Sequence, residues 1–157
     1  MLSGRDVLVL GAGGAARGVM SSLLAERPRS VTVCNRTFAK AVAIAQAFAP
    51  LGPVAATSPD ALSGRAFAVV INATSAGLVD ASPPAWPAGV TAGAFAYDMI
   101  YADTPTAFRQ WAVANGATRS ADGLGMLVEQ AAESFFLWRG VRPDTAPIFR
   151  LLRPVEG

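Results

Sequence analysis

Residues 5–16 read RDVLVLGAGGAA, and the fold follows from how this stretch is parsed. Positions 5–10 are a short, nearly continuous apolar run that stops at Gly11, as a strand buried on both faces does. Residues 15–25, AARGVMSSLLA, continue with helical spacing. Between them Gly11-Ala12-Gly13-Gly14-Ala15-Ala16 fits the pattern G-x-G-x-x-G/A. Each small residue answers a physical need. Gly11 permits a tight turn, Gly13 lets backbone approach a pyrophosphate with no Cβ in the way, and Ala16 keeps helix and strand close. The helix start adds free N–H groups and a positive dipole end, which favour an anion. The motif alone is weak, but here it follows a strand and opens a helix, as the pattern requires.

Outward from this unit, strand and helix patterns alternate to the end of the chain. Strands are expected at 31–34, at 54–57 (a weak one), and at 67–71, 94–98 and 117–120. Helices are expected at 37–48, 106–115, 125–139 and 145–152, with a short turn near 59–62. The segment 74–93, rich in Pro, Gly and Ser, is too long for a mere connector. Such alternation implies βαβ units with right-handed crossovers. The expected fold is α/β: a Rossmann-type, doubly wound, mostly parallel six-stranded sheet with helices on both faces, spanning residues 1–157 as one domain.

Composition excludes several functions. Apolar residues make up 52% and charged residues 15% of the 157, too apolar for a disordered chain. No apolar run is long enough for a spanning helix. Thirteen basic and eleven acidic residues leave a net charge of +2, with no basic patch interleaved with aromatics, so nucleic-acid binding is not expected. There is no histidine, which removes most zinc sites and all histidine-based acid–base chemistry; no metal site is expected. The one cysteine, Cys34, reads as a buried strand residue without chemistry and suits a reducing cytoplasm. The first residues lack the pattern of a signal peptide, so a cytoplasmic protein is expected. Lys40 is the single lysine.

The turn after the second strand selects the ligand. A site for NAD places a carboxylate there, against the ribose 2′-hydroxyl. This chain has Asn35-Arg36-Thr37 followed by Lys40 instead. Two cations and two hydrogen-bonding side chains suit a 2′-phosphate, so NADP is the expected cofactor. Thr37 doubles as a helix N-cap, and Arg17 reads as a surface residue.

In an open α/β sheet, ligands sit beyond the carboxyl ends of the strands. Three segments fall there: Asn72-Ala73-Thr74-Ser75-Ala76-Gly77, Asp98-Met99-Ile100-Tyr101, and Asp122-Gly123-Leu124-Gly125-Met126. The motifs GAGGAARG, NRT, NATSAG, DMIY and DGLGMLVEQAAESFFLWRG, in this order and spacing, closely resemble the NADP-binding domain of the shikimate dehydrogenase family. The resemblance covers essentially the whole chain. It implies that Gly11, Ala12, Gly13, Gly14 and Ala15 meet the pyrophosphate, and that Asn35, Arg36, Thr37 and Lys40 hold the 2′-phosphate. Asn72, Thr74 and Ser75 would border the cofactor ribose, and Met99 and Gly123 the nicotinamide end. Tyr101 and Gln130 would reach the substrate, shikimate or 3-dehydroshikimate. The family keeps its catalytic lysine and aspartate in a separate N-terminal domain, so none of the residues here is expected to be catalytic. One departure is Asp103, where many members have proline two residues after the tyrosine; Thr106 sits where the family has its threonine.

Other readings stay open at this point. The chain could serve as a stand-alone dinucleotide-binding or sensor module, or belong to an enzyme preferring quinate. An oligomer is possible. Tyr101 could pack over a sheet edge. Gln130 could be a satisfied polar residue beside a buried stripe of Leu127, Ala131, Ser134 and Phe135. Met99 and Met126 have the chemistry of core residues, and Trp86, Trp111 and Trp138 that of packing residues. Asp98 and Asp122 fit turn and cap roles.

Overall fold

The strand ladder begins with Asp6–Leu10 (β1), whose residues alternate between two buried faces: Val7 and Val9 on one, Leu8 and Leu10 on the other. The structure, a computed structural model, describes residues 2–75 and 86–153. Helix α1 (Gly14–Ala25) leads to β2 (Ser30–Cys34), and α2 (Phe38–Phe48) to β3 (Val54–Thr57). The chain continues through β4 (Val69–Asn72), β5 (Phe95–Asp98), α3 (Ala107–Ala114) and β6 (Arg119–Ala121). Every pairing is parallel, in the order β3-β2-β1-β4-β5-β6. This is the doubly wound arrangement, and its strand order reverses between β1 and β4.

Both faces carry helices. On one, Ala16, Met20 and Leu24 of α1 and Ala41 and Ile44 of α2 pack on Val7, Val9, Val31, Val33, Val69 and Ile71. On the other, Phe108 and Ala112 of α3 pack with Leu8, Leu10, Val70 and Ala96. Buried alanines at 16, 41, 96 and 112 let helix and sheet approach closely. Cys34 is buried among this second set, and burial pushes its thiol up to about 11. It remains protonated near neutrality and inert. Trp86 and Trp111 pack here as expected.

Strand boundaries shift by one or two residues, as at the sixth strand, expected at 117–120 and found at Arg119–Ala121. The fourth strand starts at Val69 rather than Phe67: the Phe67 ring turns into the second core and carries the Arg65 guanidinium 5.0 Å from its centroid. Residues 76–85, most of the expected long loop and including Gly77, lie outside the described residues.

The chain divides into two compact units, Met1–Asp122 and Gly123–Gly157. The second contains α4 (Leu124–Arg139), closed by Gly140 at a φ of 70°, and α5 (Ala146–Leu152). Its buried stripe is Leu124, Val128 and Ala132, spaced four apart. The expected stripe of Leu127, Ala131, Ser134 and Phe135 is displaced by one position: Leu127, Ala131 and Phe135 are exposed. Trp138 is 81% exposed and is no packing residue. Arg142 pairs with Glu133, and the Thr145 hydroxyl donates to Glu129 at 2.8 Å. No helix among the described residues is long and apolar enough to cross a membrane.

Candidate functional site

Four strand ends lie side by side, and their registers place the expected site residues in one row. Leu10 pairs with Cys34 and with Asn72, and Asn72 pairs with Asp98. The ladder continues past the strands: Gly11 N–H donates to the Cys34 carbonyl at 2.7 Å, Ala73 N–H to Leu10 at 2.8 Å, and Met99 N–H to Asn72 at 3.0 Å. The loops carrying Arg36, Gly13, Thr74 and Met99 thus leave the sheet as neighbours. At ~4.8 Å per strand the row spans roughly 14 Å, suited to an elongated ligand.

At its centre Gly11 has a φ of 101°, and a Cβ there would lie 2.9 Å from the Ala73 carbonyl. Only glycine makes this turn. Gly13 differs: it is exposed and extended, and a Cβ on it would meet nothing within 4 Å. Protein packing does not demand glycine there, which leaves the open space to a ligand. Gly13 is the N-cap of α1 and offers no side-chain acceptor, so the first-turn N–H groups of Gly14, Ala15 and Ala16 have no intrahelical partner. Ala12 is half-buried, Gly14 and Ala15 are exposed, and Ala16 is buried in the core.

At the β2 end Arg36, Thr37 and Lys40 are exposed, and among the described residues no carboxylate pairs with either cation. The Asn35 amide donates to the Thr37 carbonyl at 2.9 Å and ties the loop together. Thr37 holds the N-cap position of α2 but makes no side-chain capping bond, so its hydroxyl is not committed to the helix. Both positions fit an anionic group bearing several acceptor oxygens. Arg17 is exposed as expected.

The other end is built around Asp98, which is only 1% exposed. Its Oδ1 accepts from the Asn72 amide at 3.0 Å and from Ile100 N–H at 3.2 Å, and its Oδ2 from the Thr106 hydroxyl at 2.6 Å. Thr106 in turn caps α3 by accepting from Arg109 N–H. Asn72 Oδ1 accepts from the backbone and hydroxyl of Thr74, at 3.2 and 2.7 Å. Ser75 is exposed. Asp122 is buried against the Arg109 guanidinium at 3.5 Å, and Gly123 rather than Asp122 takes the N-cap of α4. Met99 is half-buried against the first core, while Tyr101 is 46% exposed. Asp103 lies in a bend before Thr106. Gly123 and Gln130 belong to the second unit, where Gly123 is buried and Gln130 is exposed, on the side of α4 away from the Leu124–Val128–Ala132 stripe. The web around Asp98 and Thr106 escaped the sequence reading, since it joins residues far apart in the chain. No cluster of metal-ligating side chains occurs among the described residues.

The family comparison decides the relationship. The description "Shikimate / quinate 5-dehydrogenase" matches residues 1–79, and "Shikimate 5'-dehydrogenase C-terminal domain" matches residues 123–153. The chain belongs to the shikimate/quinate 5-dehydrogenase family. A shikimate dehydrogenase (NADP(+)) of Thioalkalivibrio sulfidiphilus is 57% identical over 155 residues, covering 99% of this chain and 57% of that protein. The crystal structure of an Ael1 enzyme from Pseudomonas putida is similar at 44% identity and a TM-score of 0.90, over 99% of this chain and 57% of that one. Shikimate 5-dehydrogenase from Thermus thermophilus in complex with NADP(H) and shikimate is similar at 34% identity and a TM-score of 0.81, over 98% and 56%. The chain therefore spans a little over half the length of these family members.

Proposed function

We propose that these 157 residues are the NADP-binding portion of a shikimate dehydrogenase, which interconverts shikimate and 3-dehydroshikimate in the cytoplasm. The observation that carries this reading is the exposed Arg36–Lys40 pair, without a carboxylate, one strand away from an open glycine turn. Relatives named as NADP(+)-dependent enzymes support it.

The nicotinamide, when bound, accepts or supplies the hydride at the substrate carbon. The protein binds and orients. Gly11 shapes the turn, residues 12–15 take the pyrophosphate on backbone N–H groups, and Arg36, Thr37 and Lys40, with the loop held by Asn35, take the 2′-phosphate. Asn72, Thr74 and Ser75 border the ribose, and Met99 and Gly123 the nicotinamide. The exposed Tyr101 hydroxyl and the Gln130 amide meet the substrate's hydroxyls or carboxylate. Among the described residues the candidates for proton transfer are otherwise engaged: the sequence has no histidine, Lys40 serves the phosphate, Asp98 is enclosed by donors and Asp122 pairs with Arg109. That step belongs to the family's lysine and aspartate, in the portion of the relatives that this chain does not cover. Titration with NADP+ and NAD+ tests the cofactor assignment.

A further inference from the structure

Asp98 is buried at the carboxyl end of β5, and its hydrogen bonds have a direction. A carboxylate only accepts. Asn72 must therefore turn its NH2 toward Asp98 and its Oδ1 toward Thr74. Because Asn72 Oδ1 can only accept, the Thr74 hydroxyl spends its proton on it, across 2.7 Å. Thr74 Oγ1 is left with lone pairs alone to offer a ligand. It is half-buried, and its methyl would lie 3.1 Å from a Cβ on Gly11, so it stands beside the glycine turn, on the side away from Arg36.

We infer that Asp98 is a positioning residue for cofactor binding: through Asn72 it fixes the Thr74 hydroxyl as an acceptor, matched to a sugar hydroxyl and unsuited to a phosphate oxygen. The inference rests on the NADP reading above and adds to it the polarity of the β4 end of the site. A ligand lying across the row with its 2′-phosphate at Arg36 brings its nicotinamide-side ribose to Thr74. Thr106 contacts Asp98 only through Oδ2, so it anchors α3 without setting the Asn72 amide.

Two probes separate the halves of the row: NADP+, which reaches both, and adenosine 2′,5′-bisphosphate, which reaches only the glycine turn and Arg36. Calorimetry on the full chain compares Asp98→Ala, which removes the acceptor from the Asn72 amide, with Thr74→Val, the double variant and Thr106→Val. Asp98→Ala and Thr74→Val each weaken NADP+ by about tenfold, the worth of one hydrogen bond, and leave the bisphosphate within about twofold. The double variant is no weaker than either single one, because both remove the same contact. Thr106→Val lowers the melting temperature without separating the two ligands. Equal weakening of both ligands by Asp98→Ala, or additive losses in the double variant, overturns the inference and leaves Asp98 a structural residue. Should Asp98→Ala not fold, Asp98→Leu takes its place, and absence of the split in Thr74→Val overturns the inference by itself. A wild-type chain that binds neither probe removes the NADP reading itself, and this inference with it.

Discussion

Arg36→Ala is the sharpest perturbation of the cofactor assignment. Arg36 is exposed, unpaired among the described residues, and one strand from the glycine turn. A guanidinium on a phosphate is worth ~1.5–3 kcal/mol, and each ~1.4 kcal/mol is a factor of ten. The variant should therefore weaken NADP+ by roughly ten- to a hundredfold at moderate salt. Exposure and screening, with a Debye length of ~8 Å at physiological ionic strength, favour the lower end. Lys40, one helical turn on, retains part of the attraction. NAD+ lacks the 2′-phosphate, so its affinity should hardly change. Calorimetric titration of both cofactors into wild type and variant, at two salt concentrations, measures this. The NADP+ loss should shrink as salt rises. An equal loss for both cofactors would refute the 2′-phosphate role and return Arg36 to the solvated surface.

Gly13→Val should abolish NADP+ binding in a folded protein, because the extended backbone accepts valine and its side chain would fill space that only a ligand needs; circular dichroism with calorimetry checks both halves. The Asp6 carboxyl, held by the Arg29 guanidinium and the Ser30 hydroxyl, is lowered to about 2. A lowered carboxyl stabilises fully above its unfolded value of ~3.9 and progressively less as pH falls toward its folded one. Melting temperatures should accordingly drop between pH 4 and 2 more steeply in wild type than in Asp6→Asn, by a modest amount since Arg29 is exposed. The 157-residue chain with saturating NADP+ and shikimate should show no turnover by itself, and gain it when the uncovered portion of a full-length relative is supplied in trans; normal turnover by the chain alone would show that it holds its own proton acceptor.

The sheet was legible because its strands are buried on both faces: VLVL, VTVC and VVIN carry few polar residues, and glycines or prolines punctuate them. The glycine turn was legible because Gly11 answers a backbone constraint that its sequence motif encodes locally. Helix α4 was read one position out of phase, since its apolar residues run almost all round and no single stripe stands out at 124, 128 and 132. Trp138 shows the same limit: its size suggests burial, but its place near the end of α4 leaves it exposed. Thr37 stands at a cap position without a side-chain capping bond, an outcome that residue type alone does not fix. The link from Asp98 to Asn72 joins residues 26 apart and exists only because β4 and β5 are adjacent in register.

The central claim is that this chain selects NADP over NAD, and thermal unfolding of the wild-type protein with increasing cofactor tests it most directly. A ligand that binds only the folded state adds RT ln(1 + [L]/Kd), about 2.7 kcal/mol at a hundred times Kd. NADP+ should raise the melting temperature progressively at concentrations where NAD+ and shikimate alone leave it unmoved. Equal protection by NAD+ and NADP+, or none by either, would contradict that claim.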